Sequence, residues 1–370
     1  MHISPRHSSA QQPASGASRL SSARLARLKR SYVTRRVPLD GQLLLDSAVD
    51  ALLPGDLVIA RVTRIGQHRR VELPTGRKSE LFIDDELLLA CGARYAADQF
   101  EAYAARRCGI ASLVAAGGIA GVVASRHALV KPATGIEIVG ALRGTQGEIL
   151  NVRQFALPNR DLPASTRAPV LVVAGAAMNS GKTTTAASIV HGLTRGGLRV
   201  AACKVTGTGA GGDPGLYVDA GATEVLDFTD AGHATTAGLT LPELERVAGS
   251  LLSVADATAD VIVVEIADGL LQTETAALLQ APRFRSLVSG VIFAAGDAMA
   301  AVCGVRLLRQ WNYEPVAVSG LLTTSPLAMH EAQSTLSVPV VDADFLRRDD
   351  RAAHLLLRAT AQAADAAHVA

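Results

Sequence analysis

Hydrophobic residues follow one pattern in the second half of the chain and another in the first half. After residue 168, continuous apolar runs alternate with stretches that have helical periodicity. The predicted strands are Val170–Ala174, Leu198–Cys203, Val261–Ile266, Val288–Ala294 and Val316–Leu322, and the predicted helices include Thr183–Arg195, Leu241–Leu252, Thr273–Leu279 and Ala298–Gln310. Because strands without alternation are buried on both faces, this half is predicted to be an α/β domain with a mainly parallel sheet and helices on both faces.

Shorter apolar runs, broken by turn residues, fill positions 37–157. The predicted strands here are Leu57–Ile65, Arg70–Leu73, Glu80–Ile83, Gly135–Leu142 and Glu148–Val152, and the predicted helix is Asp98–Arg107. Such a pattern is typical of a β-rich α+β domain. Residues 158–168 are polar and proline-rich, so we predict a linker between this domain and a P-loop domain at residues 169–370.

Basic residues are concentrated before residue 39, in a segment that contains no aspartate or glutamate. We predict that residues 1–36 form a basic, disordered tail with one short helix at Ser22–Arg35. A phosphate- or lipid-binding arm and a targeting peptide are the alternatives. The net charge of the whole chain is only +2, so we expect no nucleic-acid partner.

Composition excludes several other classes of protein. With 49% hydrophobic and 19% charged residues, general disorder is not expected. The four cysteines are widely spaced and form no CxxC pair, which favours reduced thiols in the cytoplasm over a zinc site or a disulfide framework. No uncharged apolar run reaches the length of a transmembrane helix, so no membrane partner is expected, while a homodimer stays open.

The segment Gly175–Thr184 lies between a predicted strand and a predicted helix, which is the context that a P-loop requires. Backbone N–H groups of such a loop and of the helix N-terminus attract phosphate oxygens, and Gly181 lets the backbone approach them closely. Lys182 is predicted to reach the β- and γ-phosphates, and Thr183 to ligate Mg²⁺. The predicted nucleotide-binding residues are Gly175, Asn179, Ser180, Gly181, Lys182, Thr183 and Thr184.

Acidic residues in the same half are candidates to hold magnesium. Glu265 ends a buried strand, where a carboxylate is costly unless it is paired or bound to a metal ion, so we predict that it ligates Mg²⁺ together with Thr183. Asp213 and Asp219 are alternatives for the second acidic ligand. We prefer Asp213, because it follows the glycine-rich loop at residues 207–212.

Lysine is scarce, which makes its positions informative. It occurs only at residues 29, 78, 131, 182 and 204, so the predicted P-loop domain keeps two. Lys204 ends the second predicted strand, and a compact ammonium group suits a phosphate contact or a proton transfer. We therefore predict that Lys182 and Lys204 are the catalytic residues.

The spacing of the loop resembles that of the dethiobiotin synthetase group, whose loop reads GTDTxxGKT, since five residues separate Gly175 from Gly181. Residues 203–207 (CKVTG) are similar to the KPVxxG segment of that group, and residues 263–269 (VVEIADG) to its VVEGAGG segment. The resemblance implies that Lys204 contacts substrate and phosphates and that Glu265 ligates magnesium. Residues 212–222 also resemble the molybdopterin-guanine dinucleotide biosynthesis adapter, which shares this fold, and the likeness covers roughly residues 170–345.

We therefore expect an enzyme of the kinase or ligase type, which uses Mg·ATP to phosphorylate or activate a small-molecule substrate. Ala176–Met178 stand where the family has TDT, and Ile266–Asp268 stand where it has GAG, which leaves the substrate and the choice between ATP and GTP open. One alternative is a nucleotide-switched NTPase that delivers a cofactor. Another is an acyltransferase with a P-loop fold that binds coenzyme A.

Several polar or glycine-rich segments have weaker signals. Asp227, Asp230 and His233 form a cluster that could hold substrate or act as a base, with a plain turn as the alternative. His68 is predicted to be structural, and residues 115–121 (AAGGIAG) to be a glycine-rich turn in a packed domain. The segment Arg94–Gln99 is polar but has no assigned role.

Overall fold

A computed structural model describes residues 17–39 and 41–369, with side chains described up to residue 362. We refer to residues 17–157 as the N-terminal domain and to residues 169–369 as the C-terminal domain. The N-terminal strands are β1 (Ala17–Arg19), β2 (Lys29–Arg30), β3 (Leu44–Asp46), β4 (Leu57–Arg64), β5 (Arg70–Glu72), β6 (Lys78–Glu80), β7 (Glu86–Cys91), β8 (Arg94–Tyr95), β9 (Phe100–Ala104), β10 (Gly109–Ala115), β11 (Ile119–Arg126) and β12 (Thr134–Arg143), and helix α1 is Ser22–Arg27.

Five of these strands close into a barrel. Strand β12 pairs with β4, β4 with β7, β7 with β11 and β11 with β10, and β10 pairs back with β12; only the β7–β11 pairing is parallel. Alternate residues of β4 enter two different hydrophobic clusters: Val58, Ala60 and Val62 join one to which all five strands contribute, and Leu57 and Ile59 join one shared with residues 20–43. Both faces of β4 are therefore buried, which explains why its sequence reads as one apolar run.

The segment 17–36 packs against the barrel, so the prediction of a disordered tail is wrong for these residues. Leu20 and Val33 are buried, and β1 extends the sheet by pairing with β3. The predicted helix stops at Arg27, because residues 29 and 30 continue as β2 alongside β7. Arg24 forms an ion pair with Glu86 at 2.7 Å. Residues 1–16 lie outside the described part of the chain.

Three local predictions for the N-terminal domain are wrong. The predicted helix Asp98–Arg107 contains strand β9, whose residues alternate between buried and exposed and pair with β8 and β11. The predicted strand Glu80–Ile83 is displaced, since β6 ends at Glu80. The predicted strand Glu148–Val152 is an irregular segment followed by a 3₁₀ turn at Val152–Phe155. Strand β9 depends on its pairing with β11, about twenty residues further along the chain, which local sequence does not specify.

The C-terminal domain alternates strands and helices in the predicted order. Its strands are β13 (Val170–Gly175), β14 (Val200–Lys204), β15 (Glu224–Asp227), β16 (Val261–Glu265), β17 (Val288–Ala294) and β18 (Ala317–Ser319). Its helices are α2 (Lys182–Arg195), α3 (Gly212–Asp219), α4 (Leu241–Thr258), α5 (Thr273–Gln280), α6 (Pro282–Arg285), α7 (Ala298–Gln310), α8 (Pro326–Thr335), α9 (Ala343–Leu346) and α10 (Asp349–Val369).

The six strands form one parallel sheet in the order β15–β14–β16–β13–β17–β18. Helices α4, α5 and α7 pack on one face, and α2, α9 and α10 pack on the other, so each face has its own hydrophobic cluster. The predicted α/β class is therefore confirmed. In such a sheet the strands all end at one edge, and the loops at that edge form the usual ligand site.

Polar contacts join the two domains, in addition to the linker between them. The Tyr32 hydroxyl donates to Asp227 at 2.7 Å, and Arg35 pairs with both Asp227 and Asp230 at 3.2 and 2.6 Å. Tyr32, Asp227 and Asp230 are buried, and the two aspartates lie at the end of β15 and in the turn that follows it. The cluster predicted as a substrate-binding or turn segment thus serves as a docking point for the N-terminal domain.

A second close approach joins the glycine-rich segments of the two domains. A β-carbon on Gly117 would lie 1.8 Å from the carbonyl oxygen of Gly209, so only glycine fits in the β10–β11 turn. The backbone N–H of Gly211 donates to Glu72 at 2.7 Å. The prediction of a glycine-rich turn in a packed domain is confirmed, and the loop at residues 205–211 is held between barrel and sheet.

The predicted linker is fixed to the C-terminal domain. The N–H of Leu157 donates to the carbonyl of Asp230, and the N–H of Arg160 donates to Ser250. Leu162 is buried in the hydrophobic cluster under α4. Among the described helices, none combines the length and the apolar character that a bilayer crossing requires.

His68 packs against the barrel through its ring. Its Nε2 lies 3.0 Å from the carbonyl oxygen of Val114, and its ring packs edge-on against Phe100. Burial, with a smaller contribution from the charge of Arg94, lowers the pKa of His68 from 6.5 to about 4. These contacts agree with the structural role predicted for this histidine.

Between pH 6.5 and about 4 the unfolded chain therefore binds a proton at His68 that the folded chain does not, so this contribution to stability is lost as the pH falls. We expect His68→Gln to show a shallower decline of the unfolding free energy over this range than the wild type, measured by urea titration at several pH values. His330→Gln, at an exposed histidine of α8, should keep the wild-type slope. An unchanged slope in His68→Gln would contradict this account.

Candidate nucleotide-binding site

The loop between β13 and α2 has the backbone shape that phosphate binding requires. Gly175 ends β13, and Gly181 adopts a φ of +94° immediately before α2 begins at Lys182. Asn179 also has a positive φ, of +60°. The first N–H groups of this 14-residue helix thus open onto the loop, where they can attract an anion.

A neighbouring loop supports this segment from behind. The N–H of Leu321 donates to the carbonyl oxygen of Ser180 at 2.9 Å, and a β-carbon on Gly320 would lie 2.3 Å from the same oxygen. The hydroxyl of Ser180 is buried and has no hydrogen-bond partner among the described residues. This hydroxyl packs against Gly175. Gly175 and Ser180, both predicted to bind the nucleotide, are not among the residues that line the cavity.

Lys182 is buried and folds back over the loop. Its ammonium donates to the carbonyl oxygen of Ala177 at 2.8 Å. Burial lowers the pKa of Lys182, the charge of Lys204 adds to this, and the carboxylates of Glu265 and Asp268 oppose it. A buried ammonium held by one neutral carbonyl would gain a strong interaction from a phosphate group.

The second lysine lies between two carboxylates at the ends of adjacent strands. Lys204 ends β14 and Glu265 ends β16, and the two residues are register partners. The Lys204 ammonium contacts Glu265 at 3.1 Å and also pairs with Asp213 at the start of α3. Tyr217, one turn further along α3, donates its hydroxyl to Glu265.

The electrostatic balance keeps this lysine charged. Burial alone would lower the pKa of Lys204, but the carboxylates of Glu265 and Asp213 outweigh it and raise the pKa well above its usual range. Burial and the charge of Glu265 also raise the pKa of Tyr217, which therefore remains a hydroxyl donor. The site thus holds a permanent positive charge beside two anionic groups.

These residues share one cavity of about 480 Å³. The predicted site residues that line it are Asn179, Gly181, Lys182, Thr183, Thr184, Lys204, Asp213 and Glu265. The structure thus brings together both predicted lysines and all three predicted metal ligands. Asp219 is exposed at the other end of α3 and does not line the cavity, which agrees with the preference for Asp213.

The donor set fits magnesium. Thr183, Asp213 and Glu265 supply one hydroxyl and two carboxylates, and Mg²⁺ prefers oxygen ligands and takes only one or two carboxylates when it is bound with a nucleotide. Both carboxylates have Lys204 as a neighbour, so the cation and the lysine would share them.

Sequence reasoning did not identify the N-terminal residues that enter the site. Arg94, Tyr95 and Ala96 line the same cavity, although they belong to β8 and the turn after it. Asp98 accepts a hydrogen bond from the side chain of Asn179 at 2.8 Å, which fixes this turn to the P-loop. The polarity of the segment was visible in the sequence, but its position over the loop follows from the docking of the two domains.

Asp268 is a further acidic residue of the cavity that was not predicted. It follows β16 and has a φ of +60°, which is uncommon for a residue other than glycine. Burial raises the pKa of Asp268, while the charges of Lys182 and Lys204 oppose this shift. The departure from the GAG sequence of the dethiobiotin synthetase group therefore places a carboxyl group inside the site.

Similarity to solved structures is low and partial. The signal recognition particle receptor FtsY from Elizabethkingia anophelis in complex with GDP is 19% identical, with a TM-score of 0.34, over 47% of this chain and 56% of that chain. A DUF1611 family protein from Anabaena variabilis is 14% identical, with a TM-score of 0.38, over 58% of this chain and 64% of that chain. Neither a protein-family model nor a curated protein matches the chain.

The chain's own geometry defines the class of protein. A parallel sheet, a loop with Gly181 in the left-handed region, and a helix that begins at a buried Lys182 together form a P-loop α/β domain. The barrel that covers one side of its site is a second domain. The resemblance to dethiobiotin synthetases and to the biosynthesis adapter stays a prediction.

Proposed function

We propose that the protein binds a nucleoside triphosphate with magnesium and transfers its terminal phosphoryl group to, or uses it to activate, a small-molecule substrate. The observation that carries this proposal is the meeting of Lys182, Lys204, Glu265 and Asp213 in one cavity above the P-loop. A site that only anchored a pyrophosphate would not need the second lysine or the two carboxylates.

The two lysines would act at different points of the ligand. Lys182 extends along the loop and would contact the β- and γ-phosphates. Lys204 lies beyond it, at the ends of β14 and β16, and would stabilise negative charge that develops on the phosphoryl group during transfer. Its carboxylate neighbours fix the ammonium in place, so little reorganisation is needed during the reaction.

Magnesium would be held by Thr183, Asp213 and Glu265, and it would neutralise charge on the phosphate oxygens. The part of the cavity lined by Tyr95 and Asp268 would receive the substrate. A cavity of about 480 Å³ is within the range of small-molecule sites.

Calorimetric titration of the wild-type protein with ATP, GTP and acetyl-CoA, each with and without Mg²⁺, tests the proposal. We expect ATP or GTP to bind, and to bind more tightly when magnesium is present. Release of ADP or GDP during incubation with a panel of small carboxylic acids and amines would then identify the substrate. Binding of acetyl-CoA without either nucleotide would replace phosphoryl transfer by acyl transfer.

A further inference from the structure

Arg94 reaches the P-loop cavity from the N-terminal domain and has an unsatisfied hydrogen-bond donor. Its terminal nitrogens donate to the carbonyl oxygen of Val114 at 2.7 Å and to Gln99 at 3.0 Å. Its Nε is buried and has no hydrogen-bond partner among the described residues. Arg94 also lines the cavity, and each of its terminal nitrogens carries a second N–H besides the one that donates, so the guanidinium can contact a ligand there.

Two acidic residues lie near the Arg94 guanidinium, but neither forms an ion pair with it in the described part of the chain. Asp98 and Asp268 are the acidic groups that act on its guanidinium, but neither lies within ion-pair distance in the described structure. Of the two carboxylate oxygens of Asp98, Oδ2 accepts a hydrogen bond from Asn179. Oδ1 is buried and has no hydrogen-bond partner among the described residues. A buried cation without a paired anion favours the binding of an anionic ligand.

The position of Arg94 indicates which anion. The turn after β8 meets the P-loop where Asp98 contacts Asn179, two residues after Ala177, whose carbonyl receives the Lys182 ammonium. In a P-loop this ammonium marks the β- and γ-phosphates. Arg94 lies four residues before Asp98 and lines the cavity together with Lys182, which favours a contact with the phosphates.

We propose that Arg94 is a direct contact for the terminal phosphate of the bound triphosphate, supplied to the P-loop by the N-terminal domain of the same chain. This inference rests on the proposed function, because it assumes that a triphosphate occupies the loop. An arginine supplied within the chain stabilises the charge of a transferring phosphoryl group in other P-loop enzymes. Here Val114 and Gln99 hold the guanidinium, and the contact of Asp98 with Asn179 joins the following turn to the P-loop.

The test compares a triphosphate with a diphosphate. The affinities of Arg94→Gln and the wild type are measured by calorimetry for Mg·ADP and for a magnesium complex of ATP with a non-hydrolysable β,γ bridge. We expect Arg94→Gln to weaken the ATP analogue by about 10- to 100-fold, the cost of losing a charged hydrogen bond, and to leave ADP affinity unchanged. Arg107→Gln, at an exposed arginine of the same domain, should change neither affinity.

Two further variants separate contact from structure. Gln99→Ala removes one support of Arg94 but keeps its guanidinium, and we expect it to keep the wild-type ratio of the two affinities. Arg94→Lys keeps the charge and should fall between the wild type and Arg94→Gln. An equal loss for both nucleotides in Arg94→Gln, or no loss for either, would overturn the proposal. Failure of the proposed function is visible separately, because the wild type would then bind neither nucleotide.

Discussion

Lys182→Ala is expected to lose at least about 30-fold in affinity for Mg·ATP, the smaller end of the range for truncating one partner of a buried charged contact. The wild-type ammonium is buried and its protein partner is a single carbonyl, that of Ala177. The ammonium can therefore form further hydrogen bonds with phosphate oxygens of a ligand. Loss of the side chain removes a charge from the phosphate site and leaves the loop backbone to bind the phosphates alone.

Calorimetry on folded protein measures this loss, and two variants interpret it. Lys182→Met keeps the aliphatic stem that packs near Gly175, so it should lose nucleotide affinity to a similar extent without weakening the fold. Lys131→Ala, at an exposed lysine of the N-terminal domain, should bind Mg·ATP as the wild type does. Retention of tight Mg·ATP binding by Lys182→Met would remove the P-loop from the proposed function.

The P-loop and five of the six C-terminal strands could be predicted because their signals are local, whereas β15 was not predicted. Gly181 and Lys182 indicate a P-loop, and the short apolar runs around the loop indicate buried strands. Lys204 and Glu265 could be assigned to one site for a related reason. Both end strands of a parallel sheet, and strand ends meet at one edge.

The N-terminal domain was harder to predict because its structure depends on distant pairings. Strand β9 contains alanine and glutamate, and two arginines follow it. These residue types favour a helix locally, yet β9 pairs with β8 and β11. Its alternation of Phe100, Ala102 and Ala104 on the buried face was the signal for a strand. Barrel closure through the β10–β12 pairing involves residues more than twenty positions apart, which no local pattern reveals.

Basic composition was also misleading for residues 17–36. Three arginines of this segment have partners in the fold: Arg24 pairs with Glu86, Arg30 donates to backbone carbonyls, and Arg35 pairs with the C-terminal domain. A segment that is basic in sequence can thus be neutralised by partners that come from elsewhere in the fold. The position of Arg94 in the site could not be predicted either, because it depends on how the two domains contact each other.

Arg35→Met is expected to lower the unfolding free energy by about 3 kcal/mol, the smaller end of the range for breaking a buried ion pair by removing one partner. The Arg35 side chain is 19% exposed, and its partners Asp227 and Asp230 are only 1% and 7% exposed. Removing the guanidinium leaves two neighbouring buried carboxylates. Arg36 lies 3.4 Å from Asp230 and offsets part of this cost, which favours the smaller end of the range.

Urea unfolding measures the effect, and an exposed ion pair in the same protein provides the control. Arg199 pairs with Asp260 through two hydrogen bonds, but its side chain is 58% exposed, so Arg199→Met should lower the unfolding free energy far less than Arg35→Met. The Arg35 pair joins the two domains, so its loss should also increase protease cleavage in the segment between residues 157 and 168. Equal costs for the two variants would show that burial of the Arg35 pair does not determine its contribution, and that the domains are held together by the apolar and glycine contacts instead.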